Sequence, residues 1–306
     1  MQSTNSVFLV QPYSFSFNNE TAASNTFQQK IENLLEEEIN NKALVEFKNL
    51  TSTLIENGIK VHVFKDTATP KKPDAIFPNN WISVSDGTII IYPMCNINRR
   101  IEKRIAIIHF IKENYLIKEV IDLSVFEKEN KFLEGTGSIV FDHENKKAYA
   151  SLSPRTNKEL FTELAQQLNY QPISFKSYDK NGALIYHTNV MMNIGDGFAV
   201  ICLNSITNIE EKTRVINELQ DSNHEIIDIS LAQVNHFAGN MLTLQSPKGK
   251  IVVLSQNAYN SLTQAQIRKL ENYCTLIPID VNTIETIGGG SVRCMVAELF
   301  TKKIIN

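Results

Sequence analysis

Apolar and polar residues alternate in short runs along most of the chain, and the runs come in pairs. Asn80-Trp81-Ile82-Ser83-Val84 is followed by Asp86-Gly87 and then by Thr88-Ile89-Ile90-Ile91-Tyr92-Pro93. Asp-Gly between two such runs predicts a tight hairpin, because glycine accepts the positive φ that the turn demands. A second pair opens at Glu134, turns near His143-Glu144-Asn145-Lys146 and returns through Ala148-Tyr149-Ala150-Ser151-Leu152. A third opens at His187, turns at Gly195-Asp196-Gly197 and returns as Phe198-Ala199-Val200-Ile201-Cys202. A fourth runs from Asn240 through Pro247-Lys248-Gly249 to Ile251-Val252-Val253-Leu254. The last opens at Cys294, continues through Met295 to Phe300, and then runs out of chain. Its partner is expected near the other terminus, with a strand at about 6–12 pairing with one at about 294–300.

Between hairpins the period changes. Leu160, Phe161, Leu164 and Leu168 share one face of a helix that Asn157 can cap, and Asn98 is placed to cap another carrying Ile101, Ile105 and Ile108. Isolated strands follow, among them Val61–Phe64, Val120–Leu123, Ile226–Ile229 and Leu276–Ile279. The unit is therefore ββαβ. Its positions 80, 134, 187, 240 and 294 are separated by 54, 53, 53 and 54 residues. Five such units cannot each bury a face alone, but arranged around an axis they cover one another. The expectation is an α/β, five-bladed pseudosymmetric propeller in one domain over residues 1–306, with the strand starts converging near its axis.

Composition narrows the chemistry. At 42% hydrophobic the chain can fill a sizeable core, and 30 Lys+Arg against 33 Asp+Glu leaves a net charge of −3, without the basic footprint of a nucleic-acid or anionic-membrane binder. No signal peptide and no transmembrane run is visible, so a cytoplasmic protein is expected. The cysteines at 95, 202, 274 and 294 form no C-x-x-C pair, the six histidines form no H-E-x-x-H, and no phosphate-binding glycine motif occurs. No metal or organic cofactor is expected.

Three of the five repeat positions hold Glu134, His187 and Cys294, and Asn80 and Asn240 hold the others. A thiol, an imidazole and a carboxylate are the parts of an activated nucleophile: a thiolate to attack, a histidine to carry protons, a carboxylate to orient it. Taken singly, each is more often a packing or turn residue. Their shared spacing favours the catalytic reading. The run Gly288-Gly289-Gly290-Ser291 ahead of Cys294 is suited to close approach of backbone to a ligand. His236 and Asn240 receive no role.

Asp74-Ala-Ile-Phe-Pro-Asn-Asn80-Trp81, Leu133-Glu134-Gly-Thr-Gly-Ser138, Tyr186-His187-Thr-Asn189 and Gly288-Gly-Gly-Ser-Val-Arg-Cys294-Met295 resemble the superfamily of amidinotransferases, arginine deiminases and dimethylarginine dimethylaminohydrolases. The resemblance runs from Val7 to Phe300 and implies the pentein fold, a five-bladed α/β propeller. It also implies a cysteine attacking the central carbon of a guanidino or ureido group, with Cys294 as nucleophile, His187 as general acid and base, and Glu134 as its partner. Asp74 matches the residue that holds the substrate nitrogens. The segment Leu152–Asn157 is similar to one whose arginine, here Arg155, grips the substrate α-carboxylate, and Arg99 or Arg100 matches a second contact.

Two positions depart from the arginine-acting members, which carry aspartates where this chain has Asn80 and Asn189. A guanidinium has only donors and suits carboxylates, whereas a neutral ureido group has a carbonyl that carboxylates repel and amides satisfy. Similar Phe-Pro-Asn-Asn-Trp and His-Thr-Asn motifs, and the segments Phe15–Thr21 and Asn25–Gln28, resemble bacterial citrulline hydrolases. The expected reaction is hydrolysis of citrulline to ornithine, carbon dioxide and ammonia. The alternatives are an arginine deiminase or dimethylarginine hydrolase and, behind them, an amidinotransferase or a non-catalytic ribosome-binding pentein. The expected partner is a small amino-acid substrate, neither nucleic acid nor membrane, and homo-oligomer formation is left open.

Overall fold

Backbone pairing sorts the strands by a single rule: an antiparallel hairpin, then a third strand laid parallel to the hairpin's second strand. A computed structural model of the chain describes residues 1–304. The strands are β1 (Ser6–Gln11), β2 (Lys60–Lys65), β3 (Ile82–Ser85), β4 (Thr88–Ile91), β5 (Glu119–Asp122), β6 (Val140–Asp142), β7 (Lys147–Ser151) and β8 (Gln171–Phe175). They continue as β9 (Met192–Ile194), β10 (Phe198–Ile201), β11 (Glu225–Asp228), β12 (Leu242–Ser246), β13 (Gly249–Ser255), β14 (Thr275–Ile279) and β15 (Ala297–Phe300). Three sheets have three strands each, ordered β6-β7-β8, β9-β10-β11 and β12-β13-β14, and a six-stranded sheet runs β2-β1-β15-β3-β4-β5. The six-stranded sheet holds the same pattern twice, joined where β15 lies parallel to β3. Within it β1 runs antiparallel to β15, with Val7 opposite Glu298, so both ends of the chain contribute to one strand group.

Local chemistry explains each element. The β3–β4 turn has Asp86 at φ 52° and Gly87 at φ 85°, two consecutive left-handed residues that match the twist of the flanking strands. Asn157 caps the helix Lys158–Gln167 by accepting the Leu160 N–H, and Leu160, Phe161 and Leu164 are buried beneath it. The longest helix, Glu36–Glu56, buries Ile39, Ala43, Phe47, Leu50 and Leu54 at helical spacing against the side of β1 that carries Val7 and Leu9. Each large aliphatic or aromatic side chain so buried contributes about 1.5–3 kcal/mol. No helix among the described residues is long and apolar enough to cross a membrane.

Two local expectations are corrected. Asn98 caps nothing: the chain makes one short turn at Ile97–Arg100, breaks, and restarts as the helix Ile105–Asn114. That helix buries Ile107 and Ile111, while Ile101 and Ile105 are exposed. The isoleucine-rich segment offers two overlapping helical stripes, and packing selects the other one. The repeat positions, moreover, are not strand starts. Asn80 closes a 3₁₀ turn, Glu134 and His187 sit at the N-termini of one-turn helices, and Cys294 lies within another. The strand opens two residues beyond Asn80 but six beyond Glu134. A single helical turn cannot be told from a strand by apolar period alone.

Candidate active site

The short turns that precede the hairpins carry their side chains into one chamber. Asp74, Asn80, Arg99, Arg155, His187 and Cys294 line it, together with Thr21, Asn25, Phe77, Tyr186, Gly288 and Gly290. Its walls are buried, each of the six predicted residues being no more than 3% exposed. Glu134 and Asn189 stand directly behind it. Glu134 Oε2 lies 2.8 Å from His187 Nε2, and Asn189 Nδ2 is 3.6 Å from Cys294 Sγ.

Burial sets the electrostatics. It alone would raise the Glu134 carboxyl, but the Arg155 guanidinium, the His187 hydrogen bond and Arg99 hold it down at about 2. Burial also lowers the His187 imidazole to about 4 against the pull of Glu134, and raises the Cys294 thiol. Burial thus favours the neutral forms of His187 and Cys294, and the neighbouring cations favour the ionised form of Glu134. Gly137 makes this arrangement possible. A Cβ there would stand 2.6 Å from Asn80 Nδ2 and 2.7 Å from His187 Nδ1, so only glycine lets these two groups converge.

Asp74 is held by Asn18 Nδ2 at 2.7 Å and Thr21 Oγ1 at 3.2 Å, both on Oδ2, while its Oδ1 is buried without a partner. An unpartnered buried carboxylate oxygen is costly, and a ligand N–H would satisfy it. Arg155 packs over the Tyr186 ring and donates to Ser24 Oγ and the Thr21 carbonyl, with Nη1 3.6 Å from Glu134. Arg99 forks onto Glu102 at 2.9 Å through Nε and Nη2, and its Nη1 donates to Asn80 Oδ1 at 2.8 Å. Arg99 lines the chamber, whereas Arg100 turns away to the Met94 and Cys95 carbonyls. Most of the Arg99 fork is committed to protein. By occupying Asn80 Oδ1, Arg99 leaves that amide presenting N–H, and one of these goes to Asn79 Oδ1 at 3.0 Å.

The glycine run, which brings Gly288 and Gly290 to the chamber wall, also serves packing. Gly288 and Gly290 admit the Phe77 ring, and Gly289, in the left-handed region at φ 62°, is crowded by Asn25 and Gln28. The Gly289 carbonyl accepts from Tyr186 Oη and from Asn25 Nδ2. Residues 18–28 thereby cover the chamber, and of these only their likeness to a known group had drawn notice in the sequence. Asn240 was signalled by its repeat position alone, and it places Nδ2 3.2 Å from Cys294 Sγ. His236 is not among the lining residues. Among the described residues no group of three or more His, Cys, Asp or Glu side chains is gathered as a metal site.

The family described as "N,N dimethylarginine dimethylhydrolase, eukaryotic" matches residues 11–301. No curated protein sequence matches the chain. Among solved structures, the N-terminal domain of ArgZ, an arginine dihydrolase of cyanobacteria determined with bound substrate, aligns with TM-score 0.74 and 16% identity over 96% of this chain and 99% of that domain. AgrE in complex with L-arginine aligns with TM-score 0.75 and 16% identity over 97% of this chain, which corresponds to 40% of the AgrE chain. A dimethylarginine dimethylaminohydrolase adduct aligns with TM-score 0.65 and 14% identity over 97% of this chain and 99% of that one. At these identities the likeness is one of fold, mixed α/β of the pentein type.

Proposed function

The chain belongs to the N,N dimethylarginine dimethylhydrolase family of the pentein superfamily, and from that premise we propose that it is a thiol hydrolase acting on the ureido group of citrulline. We read its five three-stranded groups as the blades of one propeller domain, with the chamber at the axis. The observation that carries the substrate assignment is the polarity of the chamber: Asn189 and Asn240 direct Nδ2 at Cys294 Sγ, Asn80 on the chamber wall has its oxygen taken by Arg99, and the chamber carboxylate oxygen left free is Asp74 Oδ1. A ureido group supplies N–H to that oxygen and a carbonyl to the amides. A guanidinium would meet donors with donors.

In this mechanism His187 accepts the Cys294 proton, and the sulfur forms a bond to the ureido carbon as the carbonyl electron pair moves onto oxygen. The Asn189 and Asn80 amides stabilise that oxyanion. Collapse breaks one C–N bond, and the departing nitrogen takes the proton from the His187 imidazolium, which Glu134 holds in register. Water, deprotonated by His187, then cleaves the thiocarbamate C–S bond, the proton passing to the Cys294 sulfur, and the carbamic acid released breaks its remaining C–N bond to give carbon dioxide and the second amine. The balance is one citrulline and one water to one ornithine, one carbon dioxide and one ammonia. Arg155 is the contact for the α-carboxylate, and Arg99 supports Asn80.

The family match favours a second reading, hydrolysis of arginine or a methylated arginine with release of citrulline. Citrulline, arginine and dimethylarginine assayed side by side for ornithine, ammonia and citrulline separate the two. Ornithine and ammonia from citrulline are expected; turnover of the guanidino compounds alone would sink the amide argument.

A further inference from the structure

We propose that Asn240 is a catalytic residue that stabilises the Cys294 thiolate formed as His187 takes the thiol proton. The inference rests on Cys294 being the nucleophile and adds a residue to which the repeat spacing gave no role. Asn240 is completely buried, and its polar atoms are all spent around Cys294. Its Oδ1 accepts the backbone N–H of Arg293 at 3.1 Å. A backbone N–H can only donate, so this contact fixes the amide with Nδ2 on the other side. There the two N–H groups go to the Asn189 carbonyl at 2.9 Å and to Cys294 Sγ at 3.2 Å.

The sulfur needs such a donor. The titratable and charged groups about the chamber are His187, Tyr186, Asp74, Arg99, Arg155 and, beside the thiol, Arg293. Among the described residues no cationic group is hydrogen-bonded to Sγ. The Arg293 guanidinium is turned to the Val296 carbonyl and to Glu298, and His187 is tied to Glu134. Burial works against the thiolate; the Ser291 backbone opposes it first, then the Asn240 amide, the Arg293 charge and the Asn189 amide, so that Asn240 is the foremost side-chain contact. Asn189 is the more distant of the two, its Nδ2 lying 3.6 Å from Sγ. That geometry divides the labour: Asn240 serves the sulfur and Asn189 the substrate oxygen. An aspartate at 240 would press an oxygen lone pair against both Sγ and the Asn189 carbonyl.

The pH profile of Cys294 alkylation by iodoacetamide, read by peptide mass spectrometry, tests this without any turnover. In Asn240→Ala the profile should move to higher pH, slowing alkylation near neutrality by about 10–100-fold, as expected for loss of a hydrogen bond to a charged group, with the limiting alkaline rate preserved. Asn240→Asp should slow it further, and Asn189→Ala should shift it less. The acid limb of kcat/KM should move in the same direction. Profiles of Asn240→Ala and Asn240→Asp that superimpose on the wild type would overturn the assignment even if kcat falls. Should Asn240→Ala lose its thermal transition, Asn240→Asp, of nearly equal volume, decides the matter. Full citrulline turnover by Cys294→Ala would instead remove the nucleophile reading, a result distinct from any obtained at position 240.

Discussion

Among the described residues, two buried histidine–carboxylate pairs have nearly the same geometry and stand in different surroundings. His187 and Glu134 meet at 2.8 Å in the chamber; His224 and Asp142 meet at 2.7 Å where the β6–β7 turn packs against the start of β11. All four side chains are essentially shielded from water. Asp142 spends its other lone pairs on the backbone and side chain of Asn145, tightening its own turn, and His224 Nδ1 is buried without a partner. Glu134 instead accepts the Cys95 backbone N–H and faces Arg155, and the other nitrogen of His187 faces Asn80 across Gly137. Distance and burial do not distinguish a proton carrier from a clamp. What differs is the company of the second imidazole nitrogen: Asn80 and the chamber in one case, closed packing in the other.

Removing the sulfur should give the largest contrast. Cys294→Ala is expected to abolish turnover, while Asp142→Asn keeps kcat within about twofold, the ordinary scale for a change remote from the chemistry; steady-state assays on folded protein check both. Next come His187→Gln and Glu134→Gln, each expected to lower kcat by about 10²–10⁴-fold, the usual share of acid–base catalysis. His224→Gln should cost about 3 kcal/mol of stability, as for a broken buried pair, and leave kcat/KM close to wild type. Denaturant melts beside activity assays would show the two pairs exchanging roles if the comparison is wrong.

A smaller effect lies in pH. The folded-state values of Glu134, about 2, and His187, about 4, lie below the usual 4.5 and 6.5. In both cases the unfolded chain binds protons first, so their contribution to stability is complete above about pH 6.5 and is lost as pH falls through 4 and then 2. Thermal melts of His187→Gln should therefore fall less steeply between pH 6.5 and 4 than those of the wild type. An unchanged slope would mean that His187 is not the group taking up that proton.

Much of this was legible in the chain, for stated reasons. Hairpins announced themselves because Asp86-Gly87 and similar turns allow few alternatives, and Asn157 marked its helix because a cap is a local interaction. Cys294, His187 and Glu134 could be picked out because equal spacing suggested equivalent places in repeated units. The same spacing misplaced them at strand starts, since one turn of helix leaves no periodic trace. The segment at 97–114 misled for a related reason: two apolar stripes overlap in it, and only the neighbouring core selects between Ile105 and Ile107.

By itself, then, the sequence determined the strand grammar and the buried face of the helix that Asn157 caps, both consequences of residues close along the chain, and its spacing singled out Glu134, His187 and Cys294 as candidates. Tertiary structure decided which atoms of these side chains are already claimed by protein and which are left to the chamber. Arg99 arrives from nineteen residues downstream to occupy Asn80 Oδ1, the Arg293 N–H turns the Asn240 amide toward sulfur, and residues 18–28 fold over to leave Asp74 one free oxygen. An amide reads as donor or acceptor only once its neighbours have claimed one end. Those neighbours are distant in sequence, and no local pattern records their choice.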